Sequence, residues 1–373
     1  MKFTINKKDF VHYVQHVTQI VPTKPTMQIV GSIMLECSEE LNTIKLVTTD
    51  LNITVVVDIQ ANVLESGTIC ISAKSFSDIV QALPESMIHF ETIVDKLKIT
   101  CEKSSFNLNF MDCSLFPVIP SYSRDNELKL EKKVVSKMIE NTAFATGSDA
   151  TNQMYSGIYC SFSASEQIMA ATDSKRIAEV KTFTPMNILD PFEFVISVKS
   201  LTFLEKFLNG SSEDIVMINE DKKIVFIYEN VIIISSKYEG KYPIYSVVFK
   251  KEHEHMMLID KSFLKDAIRR VALLGTNDDK NIMKFDIKQN QIILEAINSE
   301  LGNAKEVIDD FTYDGEPIVF GLNSKFVLSF LNVIESDEVI FKIGKATEPV
   351  WVLNNSDDKS MMIRFVVMPL RLE

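Results

Sequence analysis

The chain has 373 residues, of which 46% are hydrophobic and 24% are charged. This length is two to three times that of an ordinary domain of about 100–150 residues, so it predicts two or three domains. The apolar content is enough for each to bury a core and excludes wholesale disorder. The formal net charge of −12 argues against a nucleic-acid partner, unless positive charge is concentrated on one surface.

The five cysteines are scattered along the chain and form no Cys-x-x-Cys pair. We therefore expect reduced thiols rather than a disulfide framework or a zinc site. The first residues, MKFTINKKDFVHYV, lack the basic start and the unbroken apolar stretch of a signal peptide. No apolar run reaches the 18 residues of a membrane-spanning helix, so we expect a cytoplasmic protein with no membrane partner.

Six segments carry apolar residues at helical spacing, most of them led by a short strand-like run and a capping residue. In chain order, the predicted helices are 7–20, 74–82, 132–143, 199–208, 261–274 and 324–334. Strand-like runs such as LNTIKLVTTD, QIMAATDSKRIAEV and QIILEAINSE lie between them. This alternation of helices with groups of strands predicts an α+β fold.

The chain repeats itself three times. One apolar position of a strand–cap–helix segment recurs at intervals of 125 residues: Phe76, Leu201 and Phe326. An aromatic or apolar residue before proline recurs at intervals of 126 residues: Phe116-Pro117, Tyr242-Pro243 and Met368-Pro369. The shared period predicts three domains, 1–122, 123–252 and 253–373, each with two helices packed on antiparallel sheets. The alternative is one large α+β domain with accidental internal similarity.

Positive charge is concentrated in the predicted helices. Their formal charges total +8, so the rest of the chain carries −20. Lysine recurs mostly at the helix starts: Lys7, Lys8, Lys74, Lys132, Lys133, Lys199, Lys261 and Lys325. A base at a helix N-terminus is unfavourable by about 0.3–1 kcal/mol, so the repeated placement indicates a compensating gain. We interpret it as a surface for duplex DNA contacted without sequence preference. The alternative is the solvated face of an amphipathic helix.

No combination of residues predicts catalysis or a cofactor. His12 and His16 have i, i+4 spacing, but the glutamate of H-E-x-x-H and a third ligand are missing, which favours helix-surface histidines over a zinc site. Asp50 and Asp173 each follow a strand in a Thr-Asp pair, and we interpret them as turn caps. The sequence has no phosphate-binding G-x-x-x-x-G-K-[ST] motif and no nucleophile elbow. We predict a non-enzymatic protein with no catalytic residue, no metal and no cofactor.

Several segments resemble the family of bacterial DNA polymerase III β subunits, the β sliding clamps. They follow the family's order and spacing over essentially the whole chain: MKFTI, Lys24-Pro25-Thr26, ATDSKRIA from Ala171, Gly240-Lys241-Tyr242-Pro243 and VVMPLRL from Val366. The resemblance implies a DNA clamp fold that closes into a ring as a head-to-tail homodimer around duplex DNA. It also implies a processivity factor that binds the catalytic subunit of DNA polymerase III, the clamp loader and other proteins with a clamp-binding motif.

The resemblance further implies one peptide-binding groove per chain. The matching positions are Tyr155, Thr172, Ser174, Lys175, Arg176, Ile177, Pro243, Val247, Val248, Val366, Val367, Met368, Pro369, Leu370, Arg371 and Leu372. An apolar groove containing Met can accept varied aliphatic and aromatic side chains. The alternative for 366–372 is an ordinary C-terminal edge strand.

Three departures from the family pattern bear on peptide preference. Ser174-Lys175 stand where the family commonly has Gly-His, and Val247 stands where it commonly has Arg. Glu373 extends beyond the usual terminal Leu and adds a negative charge that we expect near the groove.

The resemblance implies two further sets of contacts. The DNA-binding set is Lys24, Lys74, Asn152, Gln153 and Lys199. The dimer interface pairs two apolar sets, with core packing as the alternative for each: Phe106 and Leu108 on one side, Leu273 and Leu274 on the other.

Two functions of other classes compete with this interpretation. A nucleic-acid-modifying hydrolase is disfavoured because three equivalent units carry no convergent acid, base or metal cluster. A peptide-binding scaffold that never encircles DNA would be a strict monomer in solution.

Overall fold

The structure is a computed structural model that describes residues 1–125, 127–147, 152–250, 253–274, 281–298, 302–355 and 360–372. They form two compact units, Met1–Lys133 with Lys199–Lys237 and Val134–Val198 with Tyr238–Glu373. Glu373, and residues 251–252 at the second predicted domain boundary, lie outside the described residues. The three domain ranges remain a prediction.

Six α-helices lie within the described residues, and each begins within one residue of its predicted start. They are Lys7–Val17 (α1), Ala73–Ala82 (α2), Lys132–Glu140 (α3), Val198–Glu205 (α4), Lys261–Ala272 (α5) and Ser324–Val333 (α6). Several end earlier than predicted because the final turn tightens to i→i+3 hydrogen bonds, as at Ile20, whose N–H donates to the carbonyl of Val17. None of these helices is long and apolar enough to cross a membrane.

The strands between the helices are short, and their side chains alternate between core and surface as the period of two requires. In chain order they are Lys2–Asn6 (β1), Ser32–Ser38 (β2), Thr43–Thr49 (β3), Ile53–Gln60 (β4), Asn62–Glu65 (β5), Gly67–Ser72 (β6), Met87–Ile93 (β7), Lys96–Cys101 (β8), Ser104–Met111 (β9), Glu127–Glu131 (β10), Gly157–Phe162 (β11), Gln167–Thr172 (β12), Arg176–Thr182 (β13), Phe192–Ser197 (β14), Asp214–Asn219 (β15), Lys223–Tyr228 (β16), Val231–Ser236 (β17), His255–Asp260 (β18), Ile282–Lys288 (β19), Gln291–Asn298 (β20), Gly302–Ile308 (β21), Phe311–Tyr313 (β22), Ile318–Asn323 (β23), Glu338–Ile343 (β24), Val350–Asn354 (β25) and Met361–Val367 (β26).

Sheets are shared between successive repeats. The first unit has one sheet in the order β10-β15-β16-β17-β4-β3-β2-β6-β9-β8-β7-β1-β5. The second has β14-β11-β12-β13-β26-β25-β24-β18-β22 and a smaller sheet, β21-β20-β19-β23. Strands of different repeats meet at two antiparallel junctions, β4 with β17 and β13 with β26. Each junction joins the strand after a Thr-Asp turn to the last strand of the next repeat.

Helices cover the sheets with their apolar faces. In α1 and α2, Phe10 and Phe76 are fully buried and contact each other and Phe90 of β7, with ring centroids 5.7–6.0 Å apart. The packing follows from apolar residues at i, i+3 and i+4, as the sequence pattern predicts.

In each repeat, the lysine that opens the first helix donates hydrogen bonds to carbonyl groups at or beyond the C-terminal end of the second helix. The Nζ of Lys7 is buried and donates to the carbonyls of Gln81 and Leu83 at 2.9 and 2.5 Å. Lys132 donates to Gly210 at 2.9 Å, and Lys261 donates to Ile334 at 3.0 Å. Carbonyls at a helix C-terminus lack partners within the helix and carry partial negative charge, which the ammonium group neutralises.

These three caps are the compensating gain for a lysine at a helix start. Our interpretation of all the helix lysines as a DNA-binding surface is therefore wrong for Lys7, Lys132 and Lys261, which hold two helices of one repeat together. The reason is geometric: the long lysine stem spans the helix pair. The neighbouring Lys8 and Lys133 are exposed, as are Lys74 and Lys325.

Replacing Lys7 with Met should lower the free energy of unfolding by about 2–3 kcal/mol, because the carbonyls of Gln81 and Leu83 lose a charged donor and Glu85 loses its ion pair. The matched substitution Lys8→Met changes the same residue type at an exposed position and should have an effect within about 0.5 kcal/mol. Urea unfolding followed by circular dichroism measures both. Equal stabilities for the two variants would contradict the capping role.

The expectation of reduced thiols is wrong at Cys70 and Cys113, which are disulfide-bonded in the structure. Cys70 lies in β6, and Cys113 follows β9, which pairs with β6 at Cys70 and Met111. The pairing of these strands brings the two sulfurs together, and the sequence spacing of 43 residues carries no motif that indicates it. Cys37 and Cys160 are free and buried, and burial raises the pKa of the Cys37 thiol to about 12.

Candidate functional site

The predicted groove residues are brought together by the pairing of β13 with β26. Ile177 lies opposite Val366, and Arg176 lies opposite Val367. One step further, the N–H of Met368 donates to the carbonyl of Lys175 at 2.9 Å. Residues nearly 190 positions apart in the sequence thus form one surface.

The floor of the groove is apolar and closely packed. Ile177 and Val366 are 8% and 0% exposed and form a cluster with Trp351 of β25. Tyr245, Val248 and Phe249 pack against this cluster from the short 3₁₀ helix Tyr245–Phe249. Val247 of the same helix is 51% exposed and available to a ligand.

Sequence reasoning missed Trp351, Tyr245 and Phe249. The signals were present but nonspecific: Trp351 is the single tryptophan of the chain, and IYSVVF is a run with two aromatic residues just before the predicted domain boundary at 252–253. Their packing against Ile177 of β13 and Val366 of β26 depends on contacts between distant segments, which no local pattern indicates.

Arg176 is fixed at the edge of the groove. Its Nε is 3.0 Å from Asp173 Oδ2, and its Nη1 donates to Ser329 Oγ at 2.9 Å. The guanidinium lies 4.4 Å from the ring centroid of Phe326, a cation–π distance. Burial lowers the pKa of Arg176, and the ion pair with Asp173 opposes that shift.

The Thr-Asp turns behave as predicted. Asp173 Oδ1 accepts from the N–H groups of Lys175 and Arg176 at 2.9 and 3.0 Å. Asp50 Oδ1 accepts from Asn52 and Ile53 in the same way, at 3.0 and 2.8 Å. Both aspartates are therefore turn caps.

Ser174, in the turn before β13, has a φ of +73°, in the left-handed region that favours glycine. This geometry suits glycine, the residue that the resemblance implies where this chain has Ser174. The Ser174 N–H donates to the buried Thr172 Oγ1 at 3.1 Å, and this hydroxyl donates to the Arg176 carbonyl at 2.7 Å. The two bonds hold the turn in its left-handed conformation.

Val366 and Val367 end an internal strand, so the alternative of an edge strand does not hold for these two residues. β26 lies between β13 and β25 and is paired on both sides. Beyond it, the N–H of Leu370 donates to the carbonyl of Gly321 at 2.8 Å. A Cβ added to Gly321 would lie 2.9 Å from Leu372 Cδ2, so the glycine permits the close approach. Met368 and Leu372 remain 37% and 40% exposed beside the apolar floor.

The remaining groove residues belong to the same unit. Tyr155 is half-buried, and its carbonyl accepts from the N–H of Gly147 at 2.7 Å. The carbonyl of Pro243 accepts from the N–H of Tyr245 at 2.8 Å, in a tight turn that leads into the 3₁₀ helix. These residues, with Arg176 and Lys175, thus belong to one unit around the apolar cluster of Ile177, Trp351 and Val366.

Comparison with protein families covers almost the entire chain. Residues 1–120, 129–244 and 246–371 match the N-terminal, central and C-terminal domains of the DNA polymerase III beta subunit. The chain belongs to the DNA polymerase III β subunit family. The family is the processivity factor, a non-catalytic subunit of DNA polymerase III.

Individual relatives agree over their full length. The beta sliding clamp of Staphylococcus aureus is 26% identical over 380 residues, covering 100% of this chain and 99% of the relative. The DNA polymerase sliding clamp of Bacillus subtilis has a TM-score of 0.90 at 25% identity, with 100% of both chains covered. A Pseudomonas aeruginosa sliding clamp with griselimycin bound has a TM-score of 0.91 at 21% identity, which supports the fold alone.

The predicted DNA contacts of this β subunit differ in their surroundings. Lys24 and Lys74 are exposed, and so are Asn152 and Gln153. Asn152 also accepts from the Met154 N–H at 3.0 Å as the cap of a short 3₁₀ helix. Lys199 donates to Asp50 and to the carbonyl of Ile20, both at 2.9 Å, so a phosphate would have to compete with an ion pair.

The predicted interface residues lie at the surface. Phe106 is 37% exposed and Leu108 is partly buried on β9, and Leu273 is 79% exposed after α5. Core packing, the alternative for both pairs, does not account for the exposure of Phe106 and Leu273.

His12 and His16 lie side by side on α1, with ring centroids 5.2 Å apart, and both pack against Phe207. Among the described residues, no group of three or more His, Cys, Asp or Glu could hold a metal ion.

Proposed function

We propose that this β subunit encircles duplex DNA as a head-to-tail homodimer and tethers the replicative polymerase to it. The observation that carries the proposal is the assembly of the groove at the β13–β26 junction within a chain that matches three successive clamp domains. We place this activity in the cytoplasm.

The groove is the proposed site for peptides of the polymerase catalytic subunit, the clamp loader and other proteins with a clamp-binding motif. Ile177, Val366 and Trp351 provide an apolar floor, and Met368 offers an exposed, flexible side chain. Such surfaces bind aliphatic and aromatic anchors of several shapes. Replication partners would therefore compete for one site per chain.

DNA would be held by topology and by weak contacts of lysine with phosphate. Lys24, Lys74, Asn152, Gln153 and Lys199 are the proposed contacts, and the exposed Lys8, Lys133 and Lys325 extend the basic set. Such contacts carry no sequence information and exchange rapidly, which permits sliding.

The internal repeat supports a specific interface between copies. In the first two repeats, the strand after the Thr-Asp turn pairs with the last strand of the next repeat, giving β4–β17 and β13–β26. By the same rule, β21 of one copy would pair with β9 of another, because these strands hold the two equivalent positions. Phe106 and Leu108 lie on β9, and Leu273 and Leu274 follow α5, which packs on β21.

Adding the pure protein and its clamp loader to the polymerase should lengthen the product of a single binding event at least about tenfold, because a tethered polymerase rebinds before it is lost. Primer extension with excess competitor template measures this length. The protein alone should show no nuclease or ATPase activity, and either activity would instead favour a nucleic-acid-modifying hydrolase.

A further inference from the structure

A largely buried ion pair lies next to the apolar floor, on the same face of the sheet. Glu179, at the centre of β13, is 1% exposed and lies opposite Arg364 of β26. Arg364 Nε donates to Glu179 Oε1 at 2.9 Å, and its Nη2 contacts the same oxygen. Glu179 is two residues from Ile177, and Arg364 is two residues from Val366, so the pair adjoins the floor without belonging to the predicted groove residues.

The pair is bound to the 3₁₀ helix Tyr245–Phe249. The Arg364 guanidinium lies 3.9 Å from the ring centroid of Phe249. Tyr245 lies near Glu179, and burial together with this carboxylate raises the pKa of Tyr245. One ion pair thus contacts the first and last residues of the segment that carries Val247 and Val248.

The equivalent position of the first junction carries no charge. Val56 stands six residues after Asp50, as Glu179 stands six residues after Asp173, and Val56 lies opposite Ile232. There the preceding linker packs on the sheet through Ile119, in an apolar cluster with Val56 and Ile232. The fold therefore accommodates an apolar pair at this place, and an ion pair occurs at the junction that forms the groove.

Stability alone does not account for burying these charges. Desolvation of a buried ion pair offsets much of its Coulomb attraction, and well-packed apolar residues are often equally stable. An ion pair does fix geometry, because the guanidinium donates and the carboxylate accepts hydrogen bonds only in defined directions.

We propose that Glu179 and Arg364 are positioning residues for the peptide groove. They fix Tyr245 and Phe249, and through them the wall formed by Val247 and Val248. The inference rests on the proposed function of the groove. A wall that is already ordered binds a peptide without the entropic penalty of ordering itself.

The test transfers the apolar pair of the first junction to the second, as Glu179→Val with Arg364→Ile. The probe is a fluorescein-labelled peptide from the clamp-binding segment of the polymerase catalytic subunit, with affinity measured by fluorescence anisotropy. We expect the double variant to fold and to bind the peptide about fivefold to thirtyfold more weakly. Tyr245→Phe keeps the ion pair and the ring and removes only the hydroxyl near Glu179, so its loss of affinity should be smaller, about twofold to threefold.

The matched control is a second ion pair on the same strand, Lys181 with Glu166 at 3.4 Å, which does not contact the 3₁₀ helix. Lys181→Met with Glu166→Gln should leave peptide affinity unchanged. Trp351 gives a readout without peptide: its ring lies 5.5 Å from that of Phe249, and it is the single tryptophan. Its emission should shift in the transferred variant and not in the control.

Wild-type affinity in a folded Glu179→Val, Arg364→Ile variant would overturn the positioning role. If that variant does not fold, the affinity of Tyr245→Phe for the peptide is the test. Wild-type affinity of Tyr245→Phe would then overturn the positioning role. Failure of the wild-type protein to bind the peptide would instead contradict the proposed function of the groove.

Discussion

Replacing Met368 and Leu370 with alanine is expected to weaken binding of the polymerase peptide on the order of 30-fold to 100-fold, because two apolar contacts are lost at the centre of the groove. Met368 is partly exposed beside the apolar floor, and Leu370 follows on the segment held by Gly321. Neither residue belongs to β9 or β21, the strands of the proposed interface, so the dimer should stay intact. Fluorescence anisotropy with the labelled peptide and analytical ultracentrifugation measure the two properties.

Leu189→Ala is the matched control for the groove variant. Leu189 is 93% exposed, so its truncation removes a similar apolar side chain away from the groove. Wild-type affinity is expected for this control. The groove assignment would be wrong if the double alanine variant also bound the peptide with wild-type affinity.

Charge at the proposed interface should abolish the dimer. Phe106→Asp places a carboxylate on β9, where pairing with β21 would bury it without a partner. We expect the dissociation constant of the dimer to rise at least about 100-fold, so that the variant sediments as a monomer at micromolar concentration. Peptide affinity should be unchanged, since Phe106 and the groove lie in different compact units of the chain.

Ile93→Asp is the control for the interface variant. Ile93 is 46% exposed on β7 of the same sheet, but β7 pairs with β1 and β8 on its two sides. This control should remain a dimer. A dimeric Phe106→Asp variant would contradict the assignment of β9 to the interface, and a monomeric wild type would favour the scaffold function.

The helices and the repeat could be predicted because their signals are local. Apolar spacing, caps such as Ser72 and Asn323, and a constant period all lie within short windows of sequence. The turn caps Asp50 and Asp173 belong to the same class, since each accepts its capping bonds from backbone N–H groups two and three positions further on.

The errors concern partners that are distant in the sequence. The charge of Lys7 was evident, but its acceptor at Leu83 lies 76 positions away, so the cap was interpreted as a DNA contact. Cys70 and Cys113 meet only because β6 pairs with β9. Periodicity indicates which side chains turn inward or outward and does not indicate which partner each of them meets.

The groove shows both what a sequence pattern can predict and what it misses. Ile177 and Val366 were predicted through the resemblance, and the structure brings them together. The neighbouring residues Glu179, Arg364 and Phe249 lie outside the segments that carry the resemblance and were missed. Its contacts join a linker to two strands, and the pair itself spans 185 positions.

Retention on circular DNA tests the central claim most directly. The protein is loaded onto a nicked circular plasmid by its clamp loader, separated from free protein by gel filtration, and the plasmid is then cut once by a restriction enzyme. A ring held by topology should stay on the circle through the column and leave within minutes of linearisation, because its lysine–phosphate contacts are weak. Equal retention on circular and linear DNA would contradict encirclement.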